Sequence, residues 1–188
     1  MGRGARNDLL RHRHRDRRQG REGVSIVRQN EQCCLDPVQR IPTAAAMRDL
    51  GRRLAGLLRA GDLVILAGPL GAGKTTLVQG IGEGLGVRGP VTSPTFVIAR
   101  VHPPLTGSGP ALIHADAYRL ASIAEVDDLD LDTGPAVTVV EWGKGLAEGL
   151  AEDRLEISVE PDPDGEERTV RLAGHGARWK ARKDKDPE

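Results

Sequence analysis

In the first half of the chain, the spacing of hydrophobic residues predicts a helix, a buried strand and a second helix. Apolar side chains recur at helical spacing in residues 43–60, where Thr43 can cap the start of the helix and Gly61 can end it. Residues 63–67 form a short, continuously apolar run, which is typical of a strand buried on both faces. Residues 74–86 return to helical spacing. This alternation of helices with a buried strand predicts an α/β unit.

Further apolar runs, separated by turn signals, predict strands in the second half of the chain. The runs at 96–101, 111–114 and 136–140 have the length of strands, and the last two lead into Asp116 and Glu141. Aromatic residues are only 2% of the chain, so the core must be aliphatic, which suits helices packed on a largely parallel sheet.

The last third of the chain contains one pattern of a different kind. Apolar and polar residues alternate in 155–160 and again in 168–172, with the turn-forming sequence 161–165 between them. This pattern predicts a β-hairpin. The densely acidic segment 125–132 is expected to form a short helix or turn.

The segment between the first predicted strand and the second helix has the pattern of a phosphate-binding loop. Its sequence is Gly68-Pro69-Leu70-Gly71-Ala72-Gly73-Lys74-Thr75-Thr76, which matches every defined position of the P-loop. Glycines let the backbone amides from Gly68 to Thr76 point at phosphates, and the helix adds its positive end. Lys74 would bridge the outer phosphates, Thr75 would bind magnesium, and Thr76 would reach an inner phosphate. A glycine-rich turn with an accidental lysine is the weaker alternative. The sequence thus predicts a P-loop NTPase with a mostly parallel central sheet, flanked by helices and followed by a C-terminal β-hairpin.

Carboxylates that follow two predicted strands are the candidates for further magnesium ligands, direct or through water. Glu141 follows the more continuous apolar run, which makes it the better Walker B acid, whereas Asp116 could instead orient the attacking water. For each of them, a helix cap or a surface acid is the alternative. We therefore predict catalytic roles for Lys74, Asp116 and Glu141, and magnesium binding by Thr75, Glu141 and Asp116.

A hydroxyl that senses the terminal phosphate is expected between the second helix and the next strand, where nucleotide switches place one. Thr95, in the sequence Ser93-Pro94-Thr95, is our candidate. An ordinary turn is the equal alternative.

Charge is unevenly distributed along the chain, although the net charge is zero. Residues 1–40 carry ten arginines against five acidic residues, which predicts a solvated, disordered extension to which we assign no function. We expect the ATPase domain at 41–175 and a charged tail at 176–188. No secretory signal occurs, nor any run of about 20 apolar residues, so we expect a cytoplasmic protein without membrane contact. Cys33 and Cys34 lack further zinc ligands nearby and are expected to be reduced thiols.

Four blocks of sequence, in this order, resemble the TsaE family, the bacterial ATPases of tRNA threonylcarbamoyladenosine biosynthesis. The likeness runs from about residue 43 to residue 172. Its blocks are the loop at 70–75, Thr92-Ser93-Pro94-Thr95-Phe96, His114-Ala115-Asp116-Ala117-Tyr118-Arg119-Leu120 and Val140-Glu141-Trp142. The resemblance implies ATP and Mg²⁺ as cofactors, magnesium at Thr75 and Glu141, and Asp116 near the metal or the attacking water. It also implies that Thr95 lies in a switch-like segment and that Trp142 is a functional surface aromatic, with core packing as the alternative.

The resemblance further implies a small, slow ATPase that acts with partner proteins similar to TsaB and TsaD. Those partners transfer a threonylcarbamoyl group to adenosine 37 of tRNAs that read codons beginning with A, so contact with tRNA would be indirect. Two features depart from the family pattern. Pro69 stands where many relatives carry Asp, and the arginine-rich extension before about Ile41 is absent from typical members.

Three other functions are known for P-loop proteins and are alternatives to this expectation. A GTPase would need an Asn-Lys-x-Asp guanine motif, which the sequence lacks. A small P-loop kinase would need an arginine-bearing lid over the phosphates, and the Pro/Gly loop 102–110 contains no arginine. A nucleotide-gated, non-catalytic scaffold remains an alternative, because ATP binding alone could dock the partners.

Overall fold

The structure is a computed structural model that describes residues 36–94, 97–118, 134–163 and 165–179. These residues lie in one unit of the chain, which spans 32–188. Several predictions fall outside the described residues. They concern the extension before residue 36, the switch residue Thr95, the acidic segment 125–132 and the end of the charged tail.

The described residues form a seven-stranded sheet with the strand order β1-β7-β6-β2-β5-β4-β3. The strands are β1 (Val38–Ile41), β2 (Leu63–Ala67), β3 (Ala99–His102), β4 (Ala111–Asp116), β5 (Ala136–Glu141), β6 (Arg154–Pro161) and β7 (Arg168–His175). The four central strands, β6, β2, β5 and β4, are parallel, and antiparallel strands lie at both edges. The predicted α/β fold with a mostly parallel sheet and a C-terminal hairpin is confirmed.

Two long helices cover one face of this sheet, α1 (Ala44–Ala55) and α2 (Lys74–Leu85). Their apolar sides share a core with alternate residues of the strands, among them Val64 and Leu66 of β2. The intervening β2 residues Leu63 and Ile65 belong to a smaller cluster on the other face. Within the described ranges, that second face is covered by the segment around the 3₁₀ helix Glu148–Leu150. Both long helices, α1 and α2, therefore lie on the first face.

α1 begins where the sequence predicts and ends earlier. The Thr43 side chain caps it by accepting a hydrogen bond from the Ala46 N–H at 3.1 Å. After Ala55 the chain tightens into a turn, in which the Leu58 N–H binds the carbonyl oxygens of Leu54 and Ala55. The carboxylate of Asp62 then accepts the Arg59 N–H, and the chain enters β2. The predicted helical end at residue 60 is therefore a turn, because side-chain and backbone hydrogen bonds replace the helical ones.

Three glycines allow α1 and α2 to pack closely. A Cβ atom at Gly80 would collide with the carbonyl oxygen of Arg48, and one at Gly51 would collide with that of Leu77. A Cβ at Gly84 would lie 2.5 Å from the Cβ of Ala55. Close packing therefore explains the helix glycines, and no dinucleotide-binding turn is present at these positions. No helix in the described ranges is long and apolar enough to span a membrane.

The ends of the domain differ from the sequence prediction. β1 was not predicted, and it includes Val38, which the sequence analysis placed in the arginine-rich extension. Pairing with β7 stabilises it, which is a tertiary contact that local sequence does not reveal. At the other end, the short helix α3 (Gly176–Trp179) lies where the charged tail was expected. Arg178 anchors it by donating to the carbonyl of Leu57 at 2.7 Å and to Asp62 at 3.2 Å.

The strand predicted at 96–101 is shifted in the structure. β3 spans Ala99–His102, because the chain ahead of it turns back on itself: the N–H groups of Val97 and Ile98 both bind the carbonyl of Pro94 at 2.8 Å. Ile98 has a φ of 69°, a left-handed conformation that is rare for a β-branched residue.

Candidate functional site

The loop between β2 and α2 has the backbone that phosphate binding requires. Gly68 has a φ of 145°, and a Cβ at this position would collide with the carbonyl oxygen of Val159. Gly73 precedes α2 in a left-handed conformation with a φ of 103°, and no side chain caps the helix. The first-turn amides of α2 are therefore left for a ligand, at the end of the helix where its dipole favours an anion.

A cavity of about 240 Å³ lies beside this loop. Its lining consists of nine residues predicted from sequence and of Ser93 from the segment after α2. The nine are Leu70, Gly71, Gly73, Lys74, Thr75, Thr76, Asp116, Glu141 and Trp142. The parallel register of the strands explains this arrangement. Leu66 of β2 pairs with Glu141 of β5, and Glu141 pairs with Asp116 of β4, so these carboxyl ends lie at one edge of the sheet.

Lys74 is buried and held at the base of the cavity. Its Nζ donates to the carbonyl oxygens of Gly68 at 2.9 Å and Pro69 at 3.0 Å, and it lies 3.9 Å from the centre of the Trp142 ring. Burial lowers the pKa of Lys74 below its ordinary value, while the charges of Glu141 and Asp116 oppose this effect. Burial therefore shields the ammonium group from water.

Glu141 joins the phosphate loop to the neighbouring strand end. The Thr75 hydroxyl donates to Glu141 Oε1 at 2.8 Å, and His114 Nε2 lies 2.9 Å from the same oxygen. Glu141 is only 4% exposed and His114 is fully buried. The predicted magnesium residues Thr75 and Glu141 are therefore in direct contact. The contact of His114 with Glu141 was not predicted, because the sequence shows His114 only as part of a family motif.

Asp116 lies beside Glu141 in the sheet but has a different environment. Its Oδ1 accepts the backbone N–H of Tyr118 at 2.9 Å, and its own N–H donates to the carbonyl of Ile98 at 2.8 Å. Asp116 is therefore linked to the turn that follows the segment of Thr95. Thr95 itself is outside the described residues.

Trp142 follows Glu141 in a left-handed backbone conformation, with a φ of 60°. Its N–H donates to the carbonyl of Leu66 at 2.9 Å, and its ring packs against Tyr118 with the ring centres 5.1 Å apart. Tyr118 is 65% exposed. Trp142 thus lines the cavity and covers Lys74, whereas Tyr118 packs against Trp142 and is exposed.

A second cavity, of about 340 Å³, borders the opposite side of the loop. Its lining includes Gly71 and Gly73 of the loop, Thr43 and Met47 of the α1 region, and Arg168 of β7. This cavity was not predictable from the sequence, because it joins three distant parts of the chain.

Comparison with known proteins adds independent evidence. A family model described as Threonylcarbamoyl adenosine biosynthesis protein TsaE matches residues 41–170. The tRNA threonylcarbamoyladenosine biosynthesis protein TsaE of Streptomyces coelicolor is 62% identical over 139 residues, which are 71% of this chain and 93% of that protein. The protein of the same name from Bacillus subtilis is 38% identical over 133 residues, 69% of this chain and 80% of that protein. The crystal structure of Bacillus subtilis YdiB matches with a TM-score of 0.60 and 30% identity, and covers 76% of this chain and 87% of that one.

The chain has a P-loop NTPase fold. This class is defined by the mostly parallel sheet, the loop between β2 and α2, and the carboxylates at the ends of β4 and β5. Within this class, the family match and the sequence identities show that the chain belongs to the TsaE family. The resemblance noted from four short sequence blocks is confirmed.

Proposed function

We propose that the chain is a magnesium-dependent ATPase of tRNA threonylcarbamoyladenosine biosynthesis. It would act with proteins similar to TsaB and TsaD, which modify adenosine 37 of tRNAs that read codons beginning with A. One observation carries the proposal: the Thr75 hydroxyl and the buried Glu141 carboxylate meet at 2.8 Å beside an uncapped helix N-terminus. The names of the relatives, all proteins of threonylcarbamoyladenosine biosynthesis, support the choice of pathway.

The loop residues would bind the phosphates. The amides of 68–76 and the N-terminus of α2 offer hydrogen bonds and positive potential to an anion. Lys74 would exchange its bonds to the Gly68 and Pro69 carbonyls for phosphate oxygens. Because the ammonium group is buried under Trp142, its attraction for phosphate is less weakened by water.

The donors at the site suit magnesium. Thr75 and Glu141 supply the oxygen ligands that Mg²⁺ prefers. The described residues contain no group of three or more His, Cys, Asp or Glu side chains that would hold a metal by themselves. Magnesium would therefore bind together with nucleotide phosphates, and it would supply neutralisation of the charge that develops during phosphoryl transfer. Asp116, on the next strand, would orient the attacking water.

Two surfaces beside the loop fit a nucleotide and a protein partner. The cavity bordered by Thr43, Met47 and Arg168 is continuous with the loop glycines and would accept the base and ribose. At the mouth of the phosphate site, Leu70 is 91% exposed and Tyr118 is 65% exposed. Exposed apolar side chains at this position would allow a partner protein to contact the nucleotide site directly.

ATP turnover by the purified chain tests the proposal. Lys74→Ala is expected to reduce phosphate release by about 100-fold or more, because one preorganised charge at the phosphates is lost. Lys144→Ala, which removes an exposed lysine that is not part of the phosphate loop, is the matched control and should retain turnover. Equal turnover in both variants would contradict the assignment. Phosphate that appears on an added acceptor would instead favour the kinase, and ATP binding without turnover would favour the scaffold.

A further inference from the structure

His114 lies beside the carboxylate that the proposed function assigns to magnesium, yet that scheme gives it no role. It is located on β4, two residues before Asp116, on the face of the sheet that α2 covers. β4 pairs with β5 in parallel, and this pairing brings the His114 ring to Glu141 at the end of β5. The distance from His114 Nε2 to Glu141 Oε1 is 2.9 Å, and the ring is fully buried.

The two ring nitrogens of His114 have different surroundings. A carboxylate oxygen accepts hydrogen bonds, so the tautomer with its proton on Nε2 would donate to Glu141. His114 Nδ1 is buried and has no hydrogen-bond partner among the described residues. A proton there would be a buried donor without an acceptor, which is costly. A hydrogen bond from Nε2 to Glu141 therefore fits the contacts of both ring nitrogens.

The two donors to Glu141 differ in what happens when the metal binds. Thr75 would give its hydroxyl oxygen to magnesium and lose its present bond to the carboxylate. His114 has no such second role. The contact of His114 with Glu141 Oε1 can persist with and without bound magnesium. The described residues offer no hydrogen bond to Glu141 Oε2, so this oxygen would be available to the metal.

We propose that His114 is a positioning residue, which fixes the Glu141 carboxylate in the orientation that binds magnesium. This inference rests on the proposed function. Burial of the polar His114 ring carries a desolvation cost that an apolar side chain of similar size would not have. The hydrogen bond to Glu141 offsets this cost, which indicates that the ring does more than fill space. The same logic applies to carboxylates and imidazoles around metals in general, where outer partners orient the direct ligands.

The experiment compares Mn²⁺ binding by the full chain with ADP present, measured by the electron paramagnetic resonance signal of free Mn²⁺. His114→Gln can place an amide N–H near the position of Nε2, whereas the shorter His114→Asn places it near Nδ1. We expect Asn, and also Leu, to weaken Mn²⁺ binding by about tenfold or more, while Gln stays within about threefold of the unsubstituted protein. ADP binding in EDTA should be the same in all of them.

Thr138→Val is the matched control, because Thr138 is a buried β5 residue whose hydroxyl has no partner among the described residues. It should leave Mn²⁺ binding unchanged. The comparison of Gln with Asn remains decisive if the leucine variant does not fold. Equal Mn²⁺ affinity in the unsubstituted, Gln and Asn proteins would overturn the role of His114 alone. Absence of ADP-dependent Mn²⁺ binding by the unsubstituted protein would overturn both this inference and the proposed function.

Discussion

The ends of β4 and β5 lie side by side and each carries a buried carboxylate, but the two are held in different ways. The Glu141 carboxylate accepts the hydroxyl of Thr75 and lies against the ring of His114. The Asp116 carboxylate accepts the backbone N–H of Tyr118, and the Asp116 N–H donates to the carbonyl of Ile98. Neighbouring positions in one sheet therefore have different connections.

From this difference we expect the two carboxylates to have different roles. Glu141 is coupled to the phosphate loop, so we expect it to respond to the metal. Asp116 is coupled to the turn at Val97 and Ile98, so we expect it to respond to the segment that contains the predicted switch residue. The position of an acid at a strand end predicts membership of the site, whereas its hydrogen-bond partners indicate its role.

Removal of the Glu141 charge should have the largest effect. We expect Glu141→Gln to lower ATP turnover by about 100-fold or more and to raise the magnesium concentration needed for half-maximal activity. Turnover measured across a magnesium titration provides the test. Glu152→Gln, at an exposed position, is the control and should match the unsubstituted protein. A Glu141→Gln protein with normal magnesium dependence would remove the distinction between the two carboxylates.

Asp116→Asn should have a smaller and qualitatively different effect. Because this residue is expected to orient water, we expect turnover to fall by about tenfold while the magnesium dependence stays within about twofold. The same magnesium titration measures both quantities. If the half-maximal magnesium concentration rises as much as in Glu141→Gln, both carboxylates act as metal ligands.

Trp142 contacts Lys74, which lies near both Glu141 and Asp116. Replacement of Trp142 should have a modest effect on ATP binding. We expect Trp142→Ala to weaken ATP binding by about threefold, through loss of the ring above Lys74 Nζ. Trp142→Phe keeps a ring and is the matched control. Titration calorimetry of ATP binding measures the change, and an alanine variant that binds as tightly as the phenylalanine variant would show that the ring contact is not used.

The smallest expected effect is proton uptake by Lys74. Burial lowers its pKa below the ordinary 10.5, and bound phosphate would raise it again, so binding should take up protons at alkaline pH. ATP affinity should accordingly fall as pH rises through the lowered pKa of Lys74. Calorimetry in buffers of different ionisation enthalpy detects the uptake. Lys74→Arg stays charged and should show none, and equal uptake in that variant would assign the proton elsewhere.

Sequence patterns predicted the parts of the molecule that depend on local chemistry. The strand at Leu63–Ala67 was correct at both ends, because a continuous apolar run bounded by turn residues marks a buried parallel strand. The cap at Thr43 and the α2 start at Lys74 were also correct, since both are encoded within one helical turn. Strand ends and loop together predicted which side chains would line the cavity.

Features that depend on contacts between distant residues were not predictable in this way. β1 exists through its pairing with β7, and α3 through the contacts of Arg178 with Leu57 and Asp62. The link from His114 to Glu141 requires the register of two strands that are separated by some 20 residues of chain. A lone histidine in an apolar run gives no signal of that partner.

Reconstituted tRNA modification tests the central claim most directly. Purified proteins similar to TsaB and TsaD are combined with tRNA, the precursor of the threonylcarbamoyl group and ATP, with this chain added or omitted, and modified adenosine is measured by mass spectrometry. We predict that the unsubstituted chain stimulates repeated rounds of modification and that the Lys74→Ala chain does not. Modification at the same level with the unsubstituted chain, with Lys74→Ala and with no chain at all would contradict the account.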